Sequence, residues 1–107
     1  VPQITYLISV RRNIAQFYIL AKDSSIGFAE KQGRIALYIE WVQDMKAILS
    51  SPTEEEEELR IAAQQATSKA QKAALSHDWA EMTLLRQTVL EELTVSYNVA
   101  LQLKRDI

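Results

Sequence analysis

Apolar residues recur along this chain at helical spacing and are separated by polar ones. Ile4, Leu7, Val10, Ile14, Phe17 and Ala21 are spaced 3, 3, 4, 3 and 4, which predicts a first helix over about 3–22. The β-branched stretch Ile4–Val10 would also suit a strand, but the period continues past Arg12, so helix is preferred. Ile35, Tyr38, Val42, Met45 and Leu49 mark a second helix over about 25–49. Leu59, Ala63, Ala66, Ala70 and Ala73 continue the rhythm through a third, over about 52–76. Trp79, Met82, Leu85, Val89, Leu93, Tyr97, Ala100 and Leu103 line a fourth over about 78–105, widened by Leu90 and Leu101.

The punctuation agrees with four helices. Ser24 or Ser25 suits a helix start after Asp23. Gly27 and Gly33 each cost a helix about 1 kcal/mol relative to Ala, so they predict a frayed first turn or a close backbone approach. Ser51-Pro52-Thr53-Glu54 fits an N-cap, a proline at the first helical position and a capping-box glutamate. The short connector predicts that helices two and three reverse direction and pack antiparallel. The next break is expected at Ser76-His77-Asp78, where Ser76 and Asp78 can cap. The expected fold is a single all-α domain over 1–107, an antiparallel up-down-up-down four-helix bundle. If the break at 76–78 fails, helices three and four fuse into an elongated helical hairpin that would dimerise. The alanine face of helix three contributes little apolar area and allows a close helix neighbour.

The segment Ala73-Ala74-Leu75-Ser76-His77-Asp78-Trp79-Ala80-Glu81-Met82, followed by Leu84-Leu85 and Leu90–Leu93, resembles the helix-turn-helix units of helical export chaperones and tetratricopeptide adaptors. The likeness covers about 20 residues and assigns no site.

Composition narrows the chemistry. The 107 residues are 48% apolar and 24% charged, which suits one folded domain rather than a disordered chain. There is no Cys, so disulfides, thiolate catalysis and Cys-bound metals are excluded. The single His, His77, cannot supply the two Glu-x-x-His units of a carboxylate di-iron bundle. It reads as an exposed residue at a helix end. No phosphate-binding loop, dinucleotide fingerprint or EF-hand can be assembled around Gly27 and Gly33. No catalytic, cofactor-binding or metal site is therefore expected, and the chain is not expected to be an enzyme. Net charge is −2, and Arg11 and Arg12 do not make the dense basic face of a nucleic-acid binder, so such a partner is not expected. The run Glu54–Glu58 suits a solvated first turn, with Glu56 and Arg60 paired at i, i+4. No apolar stretch approaches the roughly 20 residues of a membrane span. The absence of a basic-then-apolar leader points to the cytoplasm.

Apolar surface exceeds what a small monomer can hide. Leu37, Trp41 and Ile48 form a second stripe on helix two, and Ile8 and Ile19 lie off the main stripe of helix one. A bundle helix buries about half its circumference. These five residues are the expected protein interface. The expected function is a helical interaction module (adaptor, chaperone or regulatory subunit) that binds a protein partner or itself, with a homodimer favoured. The alternatives are a structural subunit of a homo-oligomeric coat, filament or assembly, and, less, a nucleic-acid-binding helical protein.

Overall fold

A computed structural model describes residues 2–105; Val1, Asp106 and Ile107, which the expected domain includes, lie outside the described residues. Four helices follow one another: α1 (Gln3–Lys22), α2 (Phe28–Leu49), α3 (Glu54–Gln65) and α4 (Lys69–Arg105). The described residues contain no strand, so the all-helical class stands.

The third boundary is not where the pattern places it. Residues 76–78 are continuous helix, and the chain breaks instead at 66–68. Ser68 caps the new start, its Oγ accepting the Gln71 N–H at 3.2 Å. Ala66 takes an extended backbone and ends α3 after 12 residues. Ala70 and Ala73 therefore belong to α4 and are exposed. The helix-turn-helix suggested by the likeness around Ser76–Asp78 is absent, and so is the fusion of helices three and four. His77 stands in mid-helix, exposed, with Nε2 3.1 Å from Glu81.

Helix directions follow from the contacts along α4. Gln3 reaches the Met82 carbonyl and Arg11 reaches Glu92, so α1 runs parallel to α4. Tyr38 meets Ser96 and Leu49 meets Arg86, so α2 runs antiparallel to it. Glu56 meets Arg86 and Thr83, while Arg60 and Ala63 line a groove with Ser76 and Trp79, so α3 is antiparallel too. Helices α2 and α3 thus form one broken line along α4. The expected reversal at Pro52 does not occur, and with it goes the four-helix up-down-up-down arrangement.

The result is a rod of 60 × 21 × 20 Å. Its radius of gyration is 17.9 Å, against about 13 Å for a compact chain of this length. The backbone of the rod is α4, whose 37 residues span about 55 Å at 1.5 Å each. One half is a three-helix body in which α1, α2 and residues 86–105 share a core. The other half is a two-helix arm, α3 against residues 69–85.

The body holds nearly all of the core. Leu7, Val10, Ile14 and Phe17 of α1 meet Ile35, Tyr38, Ile39, Val42, Met45 and Leu49 of α2 and Val89, Leu93 and Ala100 of α4. The predicted stripe of α2 is buried throughout. Phe17 and Tyr38 stack at 4.2 Å with planes 9° apart. The arm buries only Ala63 and Glu56 from α3, and residues 69–78 are exposed apart from half-buried Leu75. Of the predicted alanine stripe only Ala63 is buried in this seam; Leu59 and Ala66 are half-buried, and Ala70 and Ala73 lie outside it. Total accessible area is 7042 Å², about 1,000 Å² above the scaling expectation for a compact monomer of this mass.

Candidate functional site

The sharpest chemistry in the molecule sits where body and arm join. Thr53, not Ser51, is the N-cap of α3, and Glu56, not Glu54, closes its capping box. The Thr53 Oγ1 accepts the Glu56 N–H at 3.2 Å, and Glu56 Oε2 accepts the Thr53 N–H at 3.3 Å. Both registers satisfy the S/T-x-x-E spacing. The second prevails because the Glu56 carboxylate also collects Arg86 Nε at 2.8 Å, Gln3 Nε2 at 2.9 Å and Thr83 Oγ1 at 2.9 Å. The Thr53 hydroxyl also lies against Gln3 Oε1.

Arg86 completes the junction by donating from Nη1 to the Leu49 carbonyl at 2.7 Å, which satisfies one of the last carbonyls of α2. One buried guanidinium thus holds the end of α2 and the start of α3. That is why the two helices stay in line across residues 50–53 instead of folding back. Glu56 is fully buried and Arg86 nearly so. Burial pushes the Glu56 carboxyl up, but hydrogen bonds from Arg86, Thr83, Gln3 and Thr53 outweigh it and leave it below the usual value of 4.5. The charge is thus compensated where it lies, and the arrangement is a structural clamp. The expected Glu56–Arg60 pair is not formed: Arg60 pairs with Glu57 at 2.8 Å. Glu55 caps α1 from outside, its Oε2 accepting the Gln3 N–H at 2.8 Å. Pattern reading assigned the acidic run to solvent because it weighs only neighbours along one helix. The visible signal was Arg86, a charge at core spacing between Met82, Val89 and Leu93.

Of the five predicted interface residues, four are well exposed: Ile8, Ile19, Leu37 and Ile48. Trp41 is half-buried and packs on the core beside Tyr38, with ring centroids 5.5 Å apart. The structure does not bring the five together. Leu37 and Trp41 border a cleft of about 380 Å³ with Asn13, Gln16, Phe17 and Leu20, on the seam between α1 and α2. Ile48 continues that stripe two turns beyond Trp41. At 100° per residue, Ile8 and Ile19 fall on the opposite flank of α1, the flank from which Arg11 reaches Glu92 of α4.

A second groove was not anticipated. It encloses about 570 Å³ between α3 and α4, just beyond the start of α1. Ile4, Leu59, Ala62, Met82 and Leu85 give it an apolar floor, and Glu55, Glu58, Asp78 and Glu81 give it acidic walls. It went unseen because the break was expected at 76–78, which would have ended the arm's long helix there.

Among the described residues no three His, Cys, Asp or Glu side chains are grouped to hold a metal ion. No helix of the described residues is long and apolar enough to cross a membrane. Comparison with known protein families, with curated proteins and with solved structures returns no match to this chain.

Proposed function

We propose that this protein is a non-catalytic helical interaction module, an adaptor, chaperone or regulatory subunit, whose body binds a protein through the α2 side of the α1/α2 seam. The observation that carries this reading is the stripe Leu37, Trp41 and Ile48, in which Leu37 and Ile48 are exposed and Trp41 is half-buried between them. Leu37 is 66% and Ile48 55% exposed on a helix whose other stripe is completely buried. Each large apolar side chain left in water forgoes roughly 1.5–3 kcal/mol. A row of them beside a tryptophan has the composition of an interface core. The partner is another protein or a second copy of this chain, a homodimer included.

The experiment compares wild type with Leu37→Ser/Ile48→Ser. Sedimentation velocity at micromolar concentration reads self-association, and quantitative co-purification from the native cell reads a foreign partner. The reading expects the double variant to lose one of these associations while keeping its helix content. A wild-type chain that stays monomeric and recovers the same proteins as the double variant would refute it. A structural subunit of a larger homo-oligomer is the second reading. The 60 Å rod, with apolar side chains on α1, α2 and α4, favours it. Concentration-dependent polymerisation would select it.

A further inference from the structure

We infer that the α3/α4 groove of the arm is a docking site for an amphipathic helix of another protein, one whose apolar stripe is flanked by Lys and Arg. This surface is separate from the α1/α2 seam, so the inference does not rest on the reading above.

In the body, α1 lies parallel to α4 and fills the groove between α4 and α2. In the arm, α3 takes over the line of α2, and α1 begins at Gln3, level with Met82 of α4. The groove lined by Leu59, Ala62, Met82 and Leu85 lies on that extended line, and Ile4 of the first turn of α1 closes its near end. Among the described residues no third helix lies against α3 and α4 there, whereas in the body α1 lies against both α4 and α2. Along the groove α4 runs from Asp78 to Leu85, about 10 Å or two helical turns, and residues 69–77 of the same helix lie exposed beyond it apart from half-buried Leu75. A helix laid there would present apolar residues at i, i+3, i+4 and i+7 to the floor. It would complete a three-helix cross-section in the half of the rod that now buries almost no large side chain.

Charge sets the chemistry of that helix. Two acids stand on each wall: Glu55 and Glu58 on α3, Asp78 and Glu81 on α4. Two of the arm's three basic residues, Arg60 and Lys72, line the groove on the other side instead. Residues 51–85 contain seven acidic and three basic residues in all, within a chain of net charge −2. Acids on both sides of an apolar floor match a helix with basic residues on both sides of its apolar stripe. They oppose an acidic one, and they oppose a second acidic arm from another copy of this chain.

The test titrates the full chain with an 18-residue capped Leu/Lys peptide carrying leucines at helical spacing, and with a Leu/Glu peptide of the same pattern. Calorimetry reads the affinity. The expected result is one-site, micromolar-range binding of the Leu/Lys peptide that weakens with added salt, and none of the Leu/Glu peptide. Glu58→Lys/Glu81→Lys should weaken it by about tenfold or more, while Leu37→Ser/Ile48→Ser leaves it unchanged. Far-UV circular dichroism confirms that each variant is folded, and methyl shifts of Met82 and Leu59 against those of Val95 locate the peptide. Equal affinity for both peptides would overturn the inference, as would an unaffected charge-reversal variant, or shifts away from Met82 and Leu59. Self-association of the chain that disappears in the charge-reversal variant would show that the occupant is a second copy and would also overturn it.

Discussion

Glu56 and Arg86 define the residue scale of this protein. Each is buried, and each is compensated by the other and by neutral donors and acceptors. Removing one partner strands the other in a dry site, so Arg86→Met should destabilise by about 3–5 kcal/mol in urea denaturation. Glu56→Leu combined with Arg86→Met should cost clearly less than the two single changes summed, because no charge is then left behind. The same carboxylate sets the acid limb of stability. Its folded value lies below its ordinary one, so its contribution is complete above about pH 4.5 and is lost as pH falls through the lower, folded value. Tyr38 sets the alkaline limb. Burial raises its hydroxyl to about 12, against the partly offsetting hydrogen bond with Ser96. A raised value means stability that is intact below pH 10 and lost between 10 and about 12. Tyr38→Phe should flatten that limb when unfolding is followed by circular dichroism, at the cost of the Ser96 hydrogen bond.

At the scale of elements, the caps and breaks decide where the chain turns. Thr53 caps α3 and Ser51 does not, so Thr53→Ala should cost about 1 kcal/mol and Ser51→Ala about 0.5 kcal/mol or less, by chemical denaturation. Gly33 sits inside α2, and a Cβ added there would meet nothing within 4 Å. Neither the frayed turn nor the close approach suggested for it is present, for α2 begins five residues earlier, at Phe28, with Gly27 as its N-cap. Gly33→Ala should therefore stabilise the protein by about 0.5–1 kcal/mol, visible as a raised melting temperature. The break between α3 and α4 falls at 66–68 and not at Ser76–Asp78. Ser76 and Asp78 are better caps on paper than Ala66 and Thr67, but a cap acts only where the chain leaves the helix. Here it leaves where Ala66 is extended and Ser68 can begin again.

At the scale of the whole molecule, stability is uneven. The body joins three helices around large side chains, and the arm joins two around alanine. Apolar burial is the main favourable term, so the arm has less holding it than the body. Hydrogen exchange should show amides of α3 and of residues 69–80 exchanging faster than those of 86–100. Any helix seated in the arm groove should slow the arm selectively. The clamp at Glu56 and Arg86 transmits little of the body's stability outward, since it lies at the arm's base.

The sequence by itself determined the helical class, the ends of α1 and the end of α2, and the buried stripe from Ile35 to Leu49. Those features follow from a 3.6-residue period and from local breakers, which operate within a few residues. It also determined that Leu37 and Ile48 are surplus to the core, since one helix cannot bury two stripes in a small body. Only the tertiary structure decided that Glu56 is buried, because its partners Gln3, Thr83 and Arg86 are 53, 27 and 30 residues away. That same clamp decided that α2 and α3 continue in line, and so set the arm's groove beside the first turn of α1. Helical periodicity says which side of a helix is apolar; the direction of the next helix depends on which distant charge its first turn must meet.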